Sequence, residues 1–243
     1  MTNNTATWFT SWFDTPFYHI LYKDRDDREA HAFMDTLTDY LNLPENGTVL
    51  DLACGKGRHS RYLNKIGYDV TGVDLSENSI KFAKQFENHR LQFEVHDMCK
   101  PYNKQFDAVF NLFTSFGYFE DDHDNLKTIE AIKSNLNEFG FGIIDFMNSE
   151  HVIDNLVPEE TKTVDGIDFH LKRFVEDGYI IKDITFTVDE KVYNYQERVR
   201  AFTLADFEKL FEQANVYLLD VFGDYKLNKF NPKSSERLVM IFK

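Results

Sequence analysis

Between residues 48 and 148 the chain alternates short apolar runs with stretches of helical character, and this alternation constrains the fold more than any other feature. The runs are TVLDLAC (48–54), YDVTGVDLS (68–76), LQFEVHDM (91–98), FDAVFNLFTSFGYF (106–119) and FGIIDFMN (141–148). Between them lie RHSRYLNKIG, closed by Gly67, then SENSIKFAKQFE with Ser76 as N-cap, and DDHDNLKTIEAIKSNLNEFG with Gly140 at its end. Apolar strands separated by helices predict a parallel sheet covered on both faces, an open doubly wound α/β arrangement.

The flanking segments follow other rules. Residues 8–43 read as helical pieces, with Phe33, Leu37, Tyr40 and Leu41 on one apolar face, and LPENG ends them. Residues 161–202 alternate in twos around the turns EDG and VDEK, which predicts an antiparallel three-strand meander. The helix TLADFEKLFEQAN, N-capped by Thr203, and the strands VYLLDVFGDY and RLVMIF complete the chain. The meander is too small for a solid core of its own. The expectation is therefore one domain: residues 1–43 as a helical lid, 44–150 and 203–243 as the core, and 158–202 as a β-meander insertion over the cleft.

The 243 residues suit one large domain, and 42% hydrophobic content with 24 Phe supplies a core. A formal charge of −14 repels phosphate backbones and anionic lipid, so neither nucleic acid nor membrane is an expected partner. Two cysteines, Cys54 and Cys99, no leader-like start and no run near the ~20 apolar residues of a membrane span predict a reduced, cytoplasmic setting.

In an open parallel sheet, ligands sit at the carboxyl ends of the strands, where strand order reverses. Four features fall there: Asp51 with Gly55 and Gly57, Asp74, Asp97, and Asn111 with the apolar LFTSFGYF. A Gly-Lys-Ser/Thr phosphate loop is absent, and Gly55-Lys56-Gly57-Arg58-His59 runs into Ser60 where a dinucleotide fingerprint has a third glycine. Asp51 beside the turn suits an ammonium group and disfavours a pyrophosphate. Asp74 has the spacing of an acid that accepts two ribose hydroxyls. Asp97, followed by Met98, suits the edge and face of an adenine. An amine, a ribose and an adenine without phosphates describe S-adenosylmethionine.

VLDLACGKG, VTGVDLS, HDM and FDAVFNLF, in that order at the ends of successive strands, resemble the motif series of class I S-adenosylmethionine-dependent methyltransferases. The resemblance spans residues 43–148, and the last helix and two strands also fit. It departs at Ala53, where the usual first glycine of the turn stands. It implies a Rossmann-like seven-stranded sheet with the last strand antiparallel, Asp74 on the ribose, and Asp97 with Met98 by the adenine. Ala53, Cys54, Gly55, Gly57, Leu75, Asn111 and Leu112 complete the expected cofactor set. It also implies S-adenosyl-L-methionine as cofactor and a small-molecule methyl acceptor, methylated on nitrogen or oxygen beneath the variable segments.

Methyl transfer needs alignment and dryness more than a fixed catalytic group, so catalytic candidates are few. His19, His59, His123 and Arg198 are the candidate bases or polar contacts. Trp8, Trp12, Phe13, Phe17, Tyr18 and Tyr22 form an aromatic cluster, read either as core packing or as a lid over the sulfonium and acceptor. Trp12, Phe17, Tyr18, Tyr22, Phe113 and Tyr118 are the expected substrate and lid residues. Glu120 to Asn125 is acid-rich, but acids gather at a helix start, and the eight histidines lack paired ligand spacing, so no metal is expected. On the meander, Asn194, Gln196, Arg198 and Arg200 share one face and Tyr193, Tyr195 and Glu197 the other, with either face free to look over the cleft. The rival functions are an RNA or protein methyltransferase, a NAD-dependent oxidoreductase and a non-catalytic cofactor binder. Strand four lacks an Asn-Pro-Pro-aromatic signature, which counts against adenine-amino methylation. The sequence favours neither a monomer nor a homodimer.

Overall fold

The computed structural model describes residues 8–23 and 27–243, with side chains from Ser11 onward in the first stretch; Trp8 of the expected aromatic cluster therefore lies outside the described side chains. The chain begins with the short helices α1 (Trp8–Phe13) and α2 (Pro16–Leu21), followed by α3 (Asp27–Leu41). The alternating section supplies β1 (Thr48–Leu52), α4 (Arg58–Lys65), β2 (Asp69–Asp74), α5 (Glu77–Ala83), β3 (Leu91–Val95), β4 (Phe106–Asn111), α6 (Asp122–Ser134) and β5 (Leu136–Met147). After α7 (Ser149–Asp154) come β6 (Glu159–Val164), β7 (Ile167–Glu176), β8 (Tyr179–Val188) and β9 (Lys191–Arg200). Helix α8 (Leu204–Ala214) and the strands β10 (Leu218–Phe222) and β11 (Arg237–Phe242) close the fold.

Seven strands form one sheet in the order β10-β11-β5-β4-β1-β2-β3. β1 to β5 are parallel, and β11 runs antiparallel to both β5 and β10. The chain winds outward from β1 in both directions, so the switch point lies between β1 and β4, where a crevice opens at the strand ends. β1 buries Val49 to Leu52 without alternation because helices cover both faces. One face packs Phe106, Phe146 and Phe242 against Phe207 and Phe211 of α8, and the other packs Val49 and Phe110 against Phe33 and Leu37 of α3. The expected caps form: Ser76 Oγ accepts from the Ser79 N–H at 3.0 Å, and Thr203 closes a capping box with Asp206.

Three sequence expectations change. The helix read as ending at Gly140 ends at Ser134, and Gly140 lies inside β5 at a register shift against β4. A side chain there would come within 2.6 Å of the Phe106 carbonyl, which gives that glycine its purpose. The meander has four strands, β6-β7-β8-β9. The overlooked hairpin turns at Asp165-Gly166, both with positive φ (49° and 78°), as a two-residue mirror-image turn demands. Tyr40, expected on the buried face of α3, is 48% exposed at its margin, edge-on to Phe222.

The second sheet packs against α1 and α2. Trp12 and Leu21 share a cluster with Val164, Phe169, Leu171, Ile184 and Phe186. Tyr195 packs against Trp12 with centroids 4.6 Å apart and Tyr193 against Phe17 at 4.9 Å, so the Tyr193, Tyr195, Glu197 face meets the N-terminal helices. No helix among the described residues is long and apolar enough to cross a membrane.

Candidate functional site

The turn after β1 carries three left-handed residues at alternate positions, Ala53 (φ 58°), Gly55 (φ 56°) and Gly57 (φ 76°). Ala53 adopts the backbone shape its glycine counterpart would, at a cost of about 1 kcal/mol. A Cβ on Gly55 would meet nothing within 4 Å, so the backbone there is open to a ligand. On Gly57 it would lie 2.5 Å from the Phe93 ring, and this glycine serves the packing beneath α4.

Three carboxylates surround the turn. Asp51 is 3% exposed and accepts a 2.5 Å hydrogen bond from the Ser60 hydroxyl. Burial pushes its carboxyl up to about 7, with Ser60 opposing and the Asp74 charge adding. Asp74 accepts the Gly55 N–H on Oδ2 and the Ser76 N–H on Oδ1, both at 2.8 Å. Burial raises its carboxyl against these two bonds, and the nearby Asp14 charge adds to the rise. A carboxylate has about four lone-pair sites, so both Asp74 oxygens keep capacity for a ligand. Asp97 accepts the Cys99 N–H at 3.0 Å and pairs with Lys100 at 3.2 Å. Burial raises its carboxyl, but the Cys99 amide and Lys100 outweigh that and hold it below the usual range.

These groups line a cavity of about 490 Å³ at the carboxyl ends of β1, β2 and β4. Its inner part holds Asp51, Ala53, Cys54, Gly55, Asp74 and Leu75, with Asp97, Met98 and Leu112 further along. Its outer part is aromatic: Phe13, Tyr18 and Tyr22 from the N-terminal helices, and Phe113, Tyr118 and Phe119 from the loop after β4. His19, His59 and Ser115 add polar atoms. Tyr18, Phe13 and Tyr118 form a continuous ring wall, with neighbouring centroids 4.9 and 5.5 Å apart. His59 stacks on Phe113 at 4.3 Å. An Arg58 guanidinium nitrogen lies 2.8 Å from His59 Nε2. Guanidinium can only donate, so Nε2 accepts and the ring proton sits on Nδ1. Bound this way, the basic Nε2 of His59 is engaged.

Several expected residues lie outside this lining. Trp12 and Phe17 are turned to the second sheet. Gly57 lies behind the turn. Asn111 is fully buried, with Nδ2 3.8 Å from Met98 Sδ, so it backs the lining without joining it. His123 borders a separate hollow with Asp122 and Lys209, and the Arg198 guanidinium lies 3.9 Å over the Tyr179 ring. The acids before His123 cap a helix: Asp121 accepts the His123 N–H at 2.9 Å. Among the described residues, no group of three His, Cys, Asp or Glu converges as metal ligands.

Lys56, Ser79, His96, Ser115 and Phe119, not among the residues expected from sequence, also join the lining, and Asp14 reaches it indirectly. The Asp14 carboxylate accepts from the Ser76 hydroxyl and, at 3.2 Å, from Asn78 Nδ2, bringing the N-terminal segment beside Asp74. Nothing in local sequence links residue 14 to residue 76.

Residues 49–140 match the family described as Methyltransferase domain. YqeM of Bacillus subtilis (strain 168), named as a methyltransferase, is 28% identical over 214 residues, covering 82% of this chain and 86% of that protein. A glycine/sarcosine N-methyltransferase of Halorhodospira halochloris is 28% identical over 182 residues, 72% of this chain and 59% of that one. The fold matches a solved S-adenosylmethionine-dependent methyltransferase from Clostridium acetobutylicum ATCC 824, with a TM-score of 0.79 at 24% identity over 93% of this chain and 95% of that one. The chain is an S-adenosylmethionine-dependent methyltransferase, with its methyltransferase-domain match over residues 49–140. S-adenosylmethionine is its cofactor, and the Asp51, Asp74 and Asp97 carboxylates in the lining are chemically suited to its ammonium, ribose and adenine.

Proposed function

We propose that the enzyme methylates a nitrogen or oxygen atom of a small molecule held in the aromatic outer half of the cavity. The carrying observation is the size and lining of the cavity: about 490 Å³ in all, shared between cofactor and acceptor, with rings from α1, α2 and the loop after β4 on its wall. Such a space suits a compact acceptor, not a polynucleotide or folded protein. The relative named for glycine and sarcosine supports a small amine. The bound cofactor supplies an electrophilic methyl group on a sulfonium. The chain's residues bind, orient and exclude water.

In this reading Asp74 takes the ribose hydroxyls through its remaining lone pairs, and Asp97 and Met98 take the adenine edge and face. Asp51 faces the cofactor's ammonium, with Ala53, Cys54 and Gly55 giving close backbone approach and Leu75 and Leu112 apolar contact. Tyr18, Tyr22, Phe113 and Tyr118 present ring faces to the sulfonium and acceptor. His19 and His96, both in the lining, are the candidate bases, required only for an acceptor protonated at working pH. The N-terminal helices and the second sheet are the cover of one single-domain enzyme.

The test offers methyl-labelled S-adenosylmethionine with small amines, including glycine and sarcosine, beside bulk tRNA and unrelated protein. Label is expected in a small amine. Label in RNA or protein instead would sink the reading. Asp51 gives a second expectation. Its carboxyl titrates near 7 in the free protein, and a neighbouring ammonium favours the carboxylate. Affinity should therefore rise with pH, changing about ten-fold per unit below 7, with release of up to one proton. Calorimetry with S-adenosylhomocysteine in two buffers of different ionisation enthalpy reads that proton. A buffer-independent heat, or an unchanged proton count in Asp51→Asn, would remove Asp51 from the site.

A further inference from the structure

None of the residues lining the cavity comes from the second sheet, yet one side chain of that sheet governs part of the lining through another residue. Glu197 on β9 stands directly opposite Lys182 on β8. Its Oε1 accepts the Trp12 indole N–H at 2.8 Å. The Tyr22 hydroxyl donates across both oxygens, at 2.7 and 2.9 Å, and Lys182 donates to Oε2 at 2.7 Å. Lys182 also donates to the Tyr22 hydroxyl. Three donors, from Trp12, Tyr22 and Lys182, thus hold both oxygens of one carboxylate. Tyr22 is the member of this network that lines the cavity. Tyr18, another lining ring, lies between the two anchored rings, 5.7 Å from Trp12 and 5.0 Å from Tyr22.

We propose that Glu197 is a positioning residue for methyl transfer: it fixes Trp12 and Tyr22, and through them Tyr18, so that the wall facing the acceptor keeps one shape. This rests on the reading of the cavity as the cofactor and acceptor site. An ion pair with side chains only 20% and 15% exposed is a weak source of stability, because desolvation offsets most of the attraction. What a carboxylate held by three donors supplies is direction, since each donor has a low-energy place to point. Burial pushes the Glu197 carboxyl up, but Lys182, Tyr22 and Trp12 pull harder, and it stays below the usual range. The network therefore keeps its charge at neutral pH. Amino acids 175 and 185 positions away in sequence are held by this one group.

The test uses the full-length protein saturated with S-adenosylhomocysteine, comparing wild type, Glu197→Gln and Tyr22→Phe. The amide keeps the volume but turns one acceptor oxygen into a donor facing other donors. In Glu197→Gln, hydrogen exchange across residues 16–22 and the rate of S-adenosylhomocysteine release should each rise about ten-fold, the equivalent of one lost charge-assisted bond. β1, β2 and β4 should keep their protection. Tyr22→Phe, which removes a single hydroxyl, should move both readouts the same way by less. The proposal is overturned if residues 16–22 and release are unchanged, or if β7 and β8 lose protection as much as α2 does, which would make Glu197 only a strut of its own sheet. Absence of any cofactor-dependent protection at the end of β2 in wild type would instead overturn the reading of the cavity, and this proposal with it.

Discussion

Replacing Arg237 by leucine is expected to lower the unfolding free energy by about 3–5 kcal/mol, read from urea denaturation followed by circular dichroism. Arg237 pairs with Asp145, which is fully buried: Nε and a terminal nitrogen lie 2.8 and 2.7 Å from Oδ1. Oδ2 accepts the Phe113 N–H at 2.7 Å, and the guanidinium also donates to Thr114 Oγ1 at 3.0 Å. Without the arginine, Asp145 keeps a buried charge with no cation beside it. Burial already raises the Asp145 carboxyl against the pull of Arg237, and the variant should raise it further. An acid whose folded pKa exceeds its unfolded value contributes stability fully present below the unfolded pKa and lost as pH rises through the folded one. The deficit of the variant should therefore shrink as pH falls and Asp145 takes up a proton. A deficit under 1 kcal/mol, or one that grows on acidification, would contradict this account. The effect should reach the cavity, because Phe113 and Thr114 are consecutive left-handed residues (φ 58° and 59°) whose shape this pair enforces. Released, Phe113 would leave its stack on His59.

The second large effect is expected at Asp74. Asp74→Ala removes the proposed ribose acceptor and leaves the Gly55 and Ser76 amides without the partner that shapes the turn. Each bond to a charged group is worth about 1.5–3 kcal/mol, so S-adenosylhomocysteine affinity should fall at least ten-fold by calorimetry. Asp74→Asn keeps one acceptor oxygen and should lose less. Affinity within two-fold of wild type in Asp74→Ala would remove this residue from the cofactor site.

The same two regions show what was legible in the sequence. Asp51, Asp74 and Asp97 each follow an apolar run, and a strand that ends on an acid places that acid at the sheet's carboxyl edge whatever the rest of the chain does. The parallel strands were legible because strands covered on both faces are mostly apolar, whereas the count of seven and the antiparallel last strand came only with the family resemblance. Features set by distant partners were not legible. Glu197 in an alternating strand looks like a solvated side chain until Trp12 and Tyr22 arrive beside it. Trp12 and Phe17 share a segment with Tyr18 and Tyr22, but which rings face the cavity depends on a sheet more than 140 residues later. The fourth meander strand does have a local signal, the Asp165-Gly166 pair, a turn shorter than those at EDG and VDEK. His59 shows a different limit. Residue type suggested a base, whereas the Arg58 contact commits its lone pair.

The shared apolar cluster of Trp12 and Leu21 with β6 to β9 has a consequence for synthesis. On the ribosome, the N-terminal helices emerge first and their packing partners last among the covering elements. A nascent chain that has reached residue 150 holds all of β1 to β5. The tryptophan at position 12 still waits for Phe186 and Tyr195, so its apolar surface stays wet through a substantial part of translation. Closing contacts across such long loops is slow, because the chain entropy must be lost before the contact rewards it. Helices α1 and α2 should therefore be the last to be protected during refolding, after the sheet that carries the three aspartates has formed.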